Sequence, residues 1–376
     1  MYIHEQKAWP RLTWDQAQLA GLLADVRHRQ GLLLGRMDGL GFPSREEATL
    51  RTLTQDVIKT SEIEGEKLDA AQVRSSIARR MGLDVGALAP VDRKVEGIVE
   101  VMLDATRNYA APLTKERLFS WHAALFPTGR SGLQKITVGG WRTKASGPMQ
   151  VVSGPYGREK VHFEAPAYDR LEKEMDRFLT FFNSPTDTDL VIRSAIAHFW
   201  FVTIHPFDDG NGRIARAIAD LVLARSEKSA QRFYSMSAQI QRERNAYYDV
   251  LERCQQGPLA ITPWIEWYLH CLKHAIAASE GMLEVVLRKT SFWKTHAGES
   301  FNERQQALIN RLLDGFEGKL TSSKWALLAK CSPDTALRDI SDLVTRQILA
   351  KEAAGGRSTN YRLLSPAPGI LARHRG

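Results

Sequence analysis

The stretch that most constrains this chain lies in its middle. An apolar run over residues 195–204 ends at His205 and is followed by Pro206-Phe-Asp-Asp-Gly-Asn-Gly-Arg-Ile-Ala-Arg216, after which a helical pattern continues to Arg225. Two glycines around Asn211 let successive backbone N–H groups turn inward, which predicts an anion nest at a helix start, where the helix dipole adds to the attraction. Such a nest suits a phosphate. Arg213 and Arg216 are three residues apart and share a helix face beside it, so their guanidinium forks can clamp a polyphosphate. Asp209 stands immediately before the nest as a hard carboxylate suited to Mg²⁺, with water and phosphate oxygens completing the shell. His205, four residues earlier, has the chemistry of a general base. Taken singly these are a loop histidine, a turn and a solvated helix face, but twelve residues carrying all of them point to one site. Gly210 to Ala215 also fits the loose dinucleotide pattern GxGxxA, yet no β-α-β alternation surrounds it and Arg213 would crowd the contact that pattern requires. Gly318-Lys319 lacks P-loop spacing, and His270, Cys271 and His274 lack a third ligand or a general-base glutamate.

Around that centre the sequence reads as mainly α. Apolar spacing predicts helices over residues 14–36, 46–63 and 92–107, with a break at Gly39-Leu-Gly-Phe-Pro43. Residues 133–166 are punctuated by glycine and proline, and short runs over 149–153 and 160–163 flank Pro155-Tyr-Gly-Arg158, the signature of a β-hairpin. Helix-rich sequence returns from residue 167 to about 289. The tail carries three short helical segments over 303–313, 322–329 and 333–347, the last opened by Ser332-Pro333-Asp334. Runs over 348–352 and 359–364 about Gly355-Gly356 complete the pattern of a winged helix-turn-helix with residues 333–347 as recognition helix.

The central string is similar to the Fic-domain signature HxFx(D/E)GNGRxxR, matched at His205, Phe207, Asp209, Gly210, Asn211, Gly212, Arg213 and Arg216. The resemblance implies an all-helical Fic core that transfers AMP from ATP to a hydroxyl side chain of a protein. It implies His205 as the base that deprotonates the target hydroxyl and Asp209 as the Mg²⁺ ligand. Gly210, Asn211 and Gly212 would bind the α- and β-phosphates, Arg213 would stabilise charge on them, and Arg216 would engage the γ-phosphate. A related phosphate-transferring branch carries Lys where this chain has Gly212. The hairpin over 149–164 matches the place of the family's flap, and Tyr248, after Arg244 and Tyr247, resembles family sequence near the nucleotide. Thr60-Ser-Glu-Ile-Glu-Gly65 resembles the family's inhibitory pattern (S/T)xxxE(G/N) in its class II, N-terminal placement. Thr60 and Glu64 would then share one helix face, with Glu64 paired to Arg216 so that the γ-phosphate loses its clamp.

The expected organisation is therefore a helical segment with an inhibitory helix (1–94), a Fic core with a small β-hairpin flap (95–290) and a winged-helix module (291–376). At 376 residues the chain has room for two or three domains. Composition adds two constraints. Residues 288–376 hold 15 basic and 8 acidic side chains, nearly all of the net charge of +8, and such a surplus attracts polyanions. No apolar stretch approaches the roughly 18–20 residues of a bilayer span, Glu5 and Lys7 interrupt any secretory signal, and three cysteines without paired spacing fit a reduced compartment, so a cytoplasmic protein is expected. The leading reading is an adenylyltransferase autoinhibited by Glu64, acting on a protein target or on itself. A second is a DNA-binding regulator whose core senses nucleotide, with Arg338 and Arg346 as tail contacts. A third is AMP removal at the same site, with Glu64 orienting water. A homodimer fits both the family and a winged helix.

Overall fold

The computed structural model describes residues 1–39, 42–83, 89–154, 158, 160–313, 315–316, 318–352 and 359–364. Its elements run α1 (Gln16–Asp38), α2 (Phe42–Ile63), α3 (Ala70–Met81), α4 (Arg93–Arg107), α5 (Lys115–Leu125), a short pair β1 (Arg130–Ser131) and β2 (Gln134–Lys135), and a hairpin β3 (Gln150–Ser153) and β4 (Lys160–Glu164). They continue with α6 (Leu171–Asn183), α7 (Leu190–Ile204), α8 (Asn211–Glu227), α9 (Met236–Arg242), α10 (Arg244–Gln255) and α11 (Thr262–Thr295). The last are α12 (Glu303–Leu313), α13 (Ser322–Ala329), α14 (Pro333–Thr345), β5 (Leu349–Lys351) and β6 (Tyr361–Leu363). The fold is mainly helical, and its strands form separate antiparallel pairs. Among the described residues no helix is long and apolar enough to cross a membrane.

Two compact units, Met1–Ser279 and Glu280–Gly376, divide the chain. In the first, α7 is buried from Val191 to Ile204: apolar residues cover most of its surface, and Arg193, Ser194, His198 and Thr203 are buried with them. It packs chiefly against α8, which also meets α2, α4 and α5. Short polar residues start these helices: Asp69 accepts from Gln72 N at 2.9 Å, Thr114 from Arg117 N at 3.2 Å and Asp189 from Val191 N at 2.8 Å. The N-terminal segment is tied in, with Trp9 Nε1 donating to Glu174 at 2.9 Å and Thr13 bridging to the residues before α11 through Ile261 N at 2.8 Å. One boundary differs from expectation. Helix α2 begins at Phe42, so Pro43 lies inside its first turn, where a missing N–H costs nothing.

In the second unit, α12, α13 and α14 surround buried Leu308, Ile309, Trp325, Ile340 and Leu343, and the β5–β6 pair places Lys351 opposite Tyr361. Ser332 caps α14 by accepting from Thr335 N at 3.2 Å, with Pro333 in the first turn. Helix α14 stops at Thr345, two residues short of the expected end, and Gln347 takes a left-handed φ of 56°. The expected turns at Gly355-Gly356 and at residues 155–157 lie outside the described residues.

Candidate active site

Helix α7 ends because His205 adopts φ 50°, and α8 begins after Gly210 at φ 79°, so the six residues from His205 to Gly210 form a tight loop between two buried helices. Asn211 closes that loop. Its side chain accepts from Phe207 N at 3.0 Å and donates to Phe207 O at 2.9 Å, and it is fully buried. The Asn211 amide is thus consumed within the loop, which leaves its backbone N–H, not its side chain, as the group available to an anion.

His205 is partly buried, and its Nδ1 lies 3.1 Å from the Val202 carbonyl. A carbonyl only accepts, so Nδ1 carries the proton and Nε2 keeps its lone pair, the arrangement a base requires. Desolvation by burial pulls the His205 pKa below its usual value, and the Arg142 charge acts in the same direction. Arg142, itself buried, donates from Nε to the His205 carbonyl at 2.8 Å and from its guanidinium to the Pro166 carbonyl, while its backbone N–H reaches Pro206 O at 2.9 Å. It joins both ends of the segment carrying β3–β4 to the loop.

Asp209 is about two-fifths exposed. One carboxylate oxygen accepts from the Ser131 hydroxyl and the other from Gly210 N at 2.5 Å. Behind it His122 stacks on Phe207 with centroids 4.2 Å apart, accepts from Gly139 N and donates to the Asp209 carbonyl at 3.2 Å. Burial pushes the His122 pKa down to about 4, so it serves as a neutral brace.

The two arginines point at acids from far upstream. Arg216, with 2% of its side chain exposed, donates from Nε to the Thr60 hydroxyl at 2.7 Å and from Nη2 to the Thr60 carbonyl at 3.0 Å and to Glu64 at 2.7 Å. Burial works against its charge, and Glu64 overrides that cost, so the Arg216 pKa lies above its ordinary value. Glu64 is not quite where the helix reading put it. Helix α2 ends at Ile63 and Glu64 lies in the turn beyond, before Gly65 at φ 82°. Gly212 explains how the carboxylate seats so closely, since a Cβ there would stand 2.3 Å from Glu64 Oε1. Arg213 pairs with Glu66 at 3.0 Å and lies over the Phe126 ring at 5.1 Å. Tyr248 is half-exposed under the Arg244 guanidinium at 5.4 Å, and desolvation and the Glu64 charge raise its pKa. Its buried neighbour Tyr247 bonds His198 at 3.0 Å.

Glu66, His122, Ser131 and Arg142 escaped the sequence reading. His270 and His274 form no centre: His274 pairs with Glu243 at 2.7 Å, and among the described residues no group of three or more His, Cys, Asp or Glu is placed to hold a metal.

Residues 112–223, which contain this loop, match the family described as Fic/DOC family. Over these residues the chain carries a Fic/DOC-type domain. Its Fic match is preceded by a match of residues 2–83 to a Domain of unknown function (DUF4172). Two relatives named "Protein adenylyltransferase Fic" come from Nematostella vectensis and Culex quinquefasciatus. The first is 33% identical over 115 residues, covering 30% of this chain and 25% of the relative. The second is 25% identical over 229 residues, covering 59% and 40%. The chain thus spans less than half the length of these Fic relatives. Among solved structures, a Fic family protein from Desulfovibrio desulfuricans G20 has a TM-score of 0.53 at 22% identity, covering 95% of this chain and 98% of that one. A Fic domain containing signaling protein from Bacteroides thetaiotaomicron has a TM-score of 0.50 at 18% identity, covering 68% and 97%. These likenesses establish the Fic fold.

Proposed function

We propose that this Fic-domain chain is a protein adenylyltransferase held at rest by Glu64. The observation that carries the reading is the meeting, across 152 residues of sequence, of Glu64 and Arg216 at 2.7 Å beside a loop whose His205 keeps Nε2 free. A Tyr, Thr or Ser hydroxyl of a protein target attacks the α-phosphorus of ATP. A new O–P bond forms, the bond to the bridging oxygen breaks, pyrophosphate leaves with the electron pair, and the hydroxyl proton passes to His205 Nε2. The N–H groups of Asn211 and Gly212, in the first turn of helix α8, would donate to phosphate oxygens, with that of the Gly210 cap joining them once it leaves the Asp209 carboxylate and with Arg213 and Arg216 flanking them.

Asp209 fits the role of Mg²⁺ ligand. It is a single, partly exposed hard carboxylate with lone pairs left over, and Mg²⁺ takes the rest of its shell from phosphates and water. When bound, Mg²⁺ neutralises charge on the phosphates. Among the described residues the β3–β4 hairpin pairs with no third strand, so a target segment can add at its edge and present its hydroxyl. The DNA-binding reading draws less from the second unit: Arg346 is tied to Glu299 at 2.6 Å and Asp342 at 3.0 Å instead of standing free.

The test compares wild type, Glu64→Gly and Glu64→Gly with His205→Ala, each with Mg²⁺ and ATP labelled at the α-phosphate, read by intact mass. An adduct only in Glu64→Gly is expected. An adduct that His205→Ala leaves intact would overturn the assignment of the base, and loss of a pre-formed adduct that needs Glu64 would favour AMP removal.

A further inference from the structure

The turn after α2 carries a second acid, and it is the partner of the other arginine. Backbone hydrogen bonds from Glu64 N and Glu66 N to the Ser61 carbonyl, at 3.1 and 3.0 Å, and from Gly65 N to Glu62 O at 3.0 Å set this turn. With Gly65 at φ 82° between them, Glu64 reaches Arg216 and Glu66 reaches Arg213 at 3.0 Å. We propose that Glu66 occupies a phosphate position on Arg213 as Glu64 does on Arg216. The resting site is then closed by two carboxylates that stand in for adjacent phosphates, and it opens to a nucleoside di- or triphosphate in preference to a monophosphate. This deepens the nucleotide reading above and rests on it.

Three observations support the assignment. Arg213 is 95% buried with its Nε lacking a partner among the described residues, so its fork is incompletely satisfied and suited to a bidentate phosphate. The space beside the pair, lined by Glu66, Arg213, Ser61, Ser131 and Phe126, is only about 20 Å³, room for roughly one water. A phosphate on the Arg213 fork would therefore compete with Glu66 for this space. Glu66 itself is 41% exposed, so its displacement returns a carboxylate to water without stranding a buried charge. A monophosphate offers one anionic group and displaces one acid. A di- or triphosphate can displace both.

The experiment is calorimetric titration of Mg²⁺-ATP, Mg²⁺-ADP and AMP into wild type, Glu66→Gln, Glu64→Gly and the double variant of the full chain, with circular dichroism to verify folding. Glu62→Gln is the control, since Glu62 belongs to the same segment but pairs with Lys59 at 2.6 Å. Glu66→Gln is expected to bind ATP and ADP about 3–10-fold tighter than wild type, the size of one partly screened ion pair, with AMP affinity changing less and Glu62→Gln showing no change. An unchanged or weaker affinity in folded Glu66→Gln, or an equal gain in Glu62→Gln, overturns the proposal. If Glu64→Gly binds ATP and adding Glu66→Gln gains nothing, the second acid fails while the nucleotide reading stands. If no variant binds nucleotide, the nucleotide reading itself fails and takes the proposal with it. Should Glu66→Gln not fold, wild type is heated with pyrophosphate or with inorganic phosphate at equal concentration. A larger rise in Tm with pyrophosphate is expected, and equal rises overturn the preference for adjacent phosphates.

Discussion

Three influences act on the His205 ring: burial excludes water and lowers its pKa, the nearby Arg142 charge lowers it further, and the Val202 carbonyl, which works in the opposite direction, fixes the proton on Nδ1. Because the folded pKa lies below the usual 6.5, the reactive neutral form persists as pH falls and is lost only below that value. In the Glu64→Gly background, transfer rates measured from pH 5 to 8 are expected to stay flat down to below pH 6.5 and then fall. Arg142→Ala should move that acidic limb to higher pH and lower kcat by about 10²-fold through misplacement of the base, with ATP affinity little changed. A wild-type limb in Arg142→Ala would refute the electrostatic part of this role. The contrast between His205 and Arg142 also marks what the sequence could tell. His205, Asp209 and both arginines sit in one string whose spacing announces a site. Arg142 is a lone basic residue in a glycine-punctuated segment, and its meaning comes only from the three backbone groups it meets in space. Glu66 was readable as a charge but not as a partner, since Arg213 lies 147 residues away.

Helix α2 is held to the motif helix by more than its terminal acids. One turn before Thr60, Asp56 accepts from the Ser235 hydroxyl and from Ser237 N at 3.1 Å, and it faces Asp220, one turn beyond Arg216 on α8. Asp220 pairs with buried Arg232 at 2.9 Å, with Glu227 nearby. Burial and the Asp56 carboxyl push the Asp220 pKa up to about 8, so the native protein holds a proton there that the unfolded chain releases near 3.8. Stability from this group is complete below the unfolded value and is lost as pH rises through about 8. Melting temperatures recorded between pH 4 and 9 should fall along that range, and Asp220→Asn, which keeps a neutral side chain at every pH, should flatten the slope. An unaltered slope would place the proton elsewhere. The element periodicity of α2 was plain in Leu50, Leu53 and Val57, whereas this carboxyl cluster was not, because its acids come from α2 and α8 and their partner Arg232 from the residues that follow α8.

At the scale of the whole chain, two units each carry a core of their own. Trp325 is completely buried in the second, so Trp325→Ala should cost that unit about 3–5 kcal/mol. Nucleotide affinity of the Glu64→Gly protein, which reports on the first unit, should be unchanged by it. Thermal unfolding followed by calorimetry should then show a second-unit transition shifted down while the first keeps its midpoint, and a joint shift would show that the units unfold together. The order of three helices and a hairpin in that unit was legible from capping and turn residues such as Ser332 and Pro333. The charge surplus of the same region was legible too, but not how Arg346 would be used.

The turn at Gly65 makes the two arginines answer to one hinge. Because both acids hang from it, a shift of the hinge withdraws both together, whereas a swing of one side chain withdraws only one. Any molecule that grips the withdrawn form raises nucleotide affinity by some factor, and thermodynamic reciprocity requires nucleotide to raise that molecule's affinity by the same factor. Saturating the protein with nucleotide is therefore a way to search for an effector whose docking place is the far side of a four-residue turn.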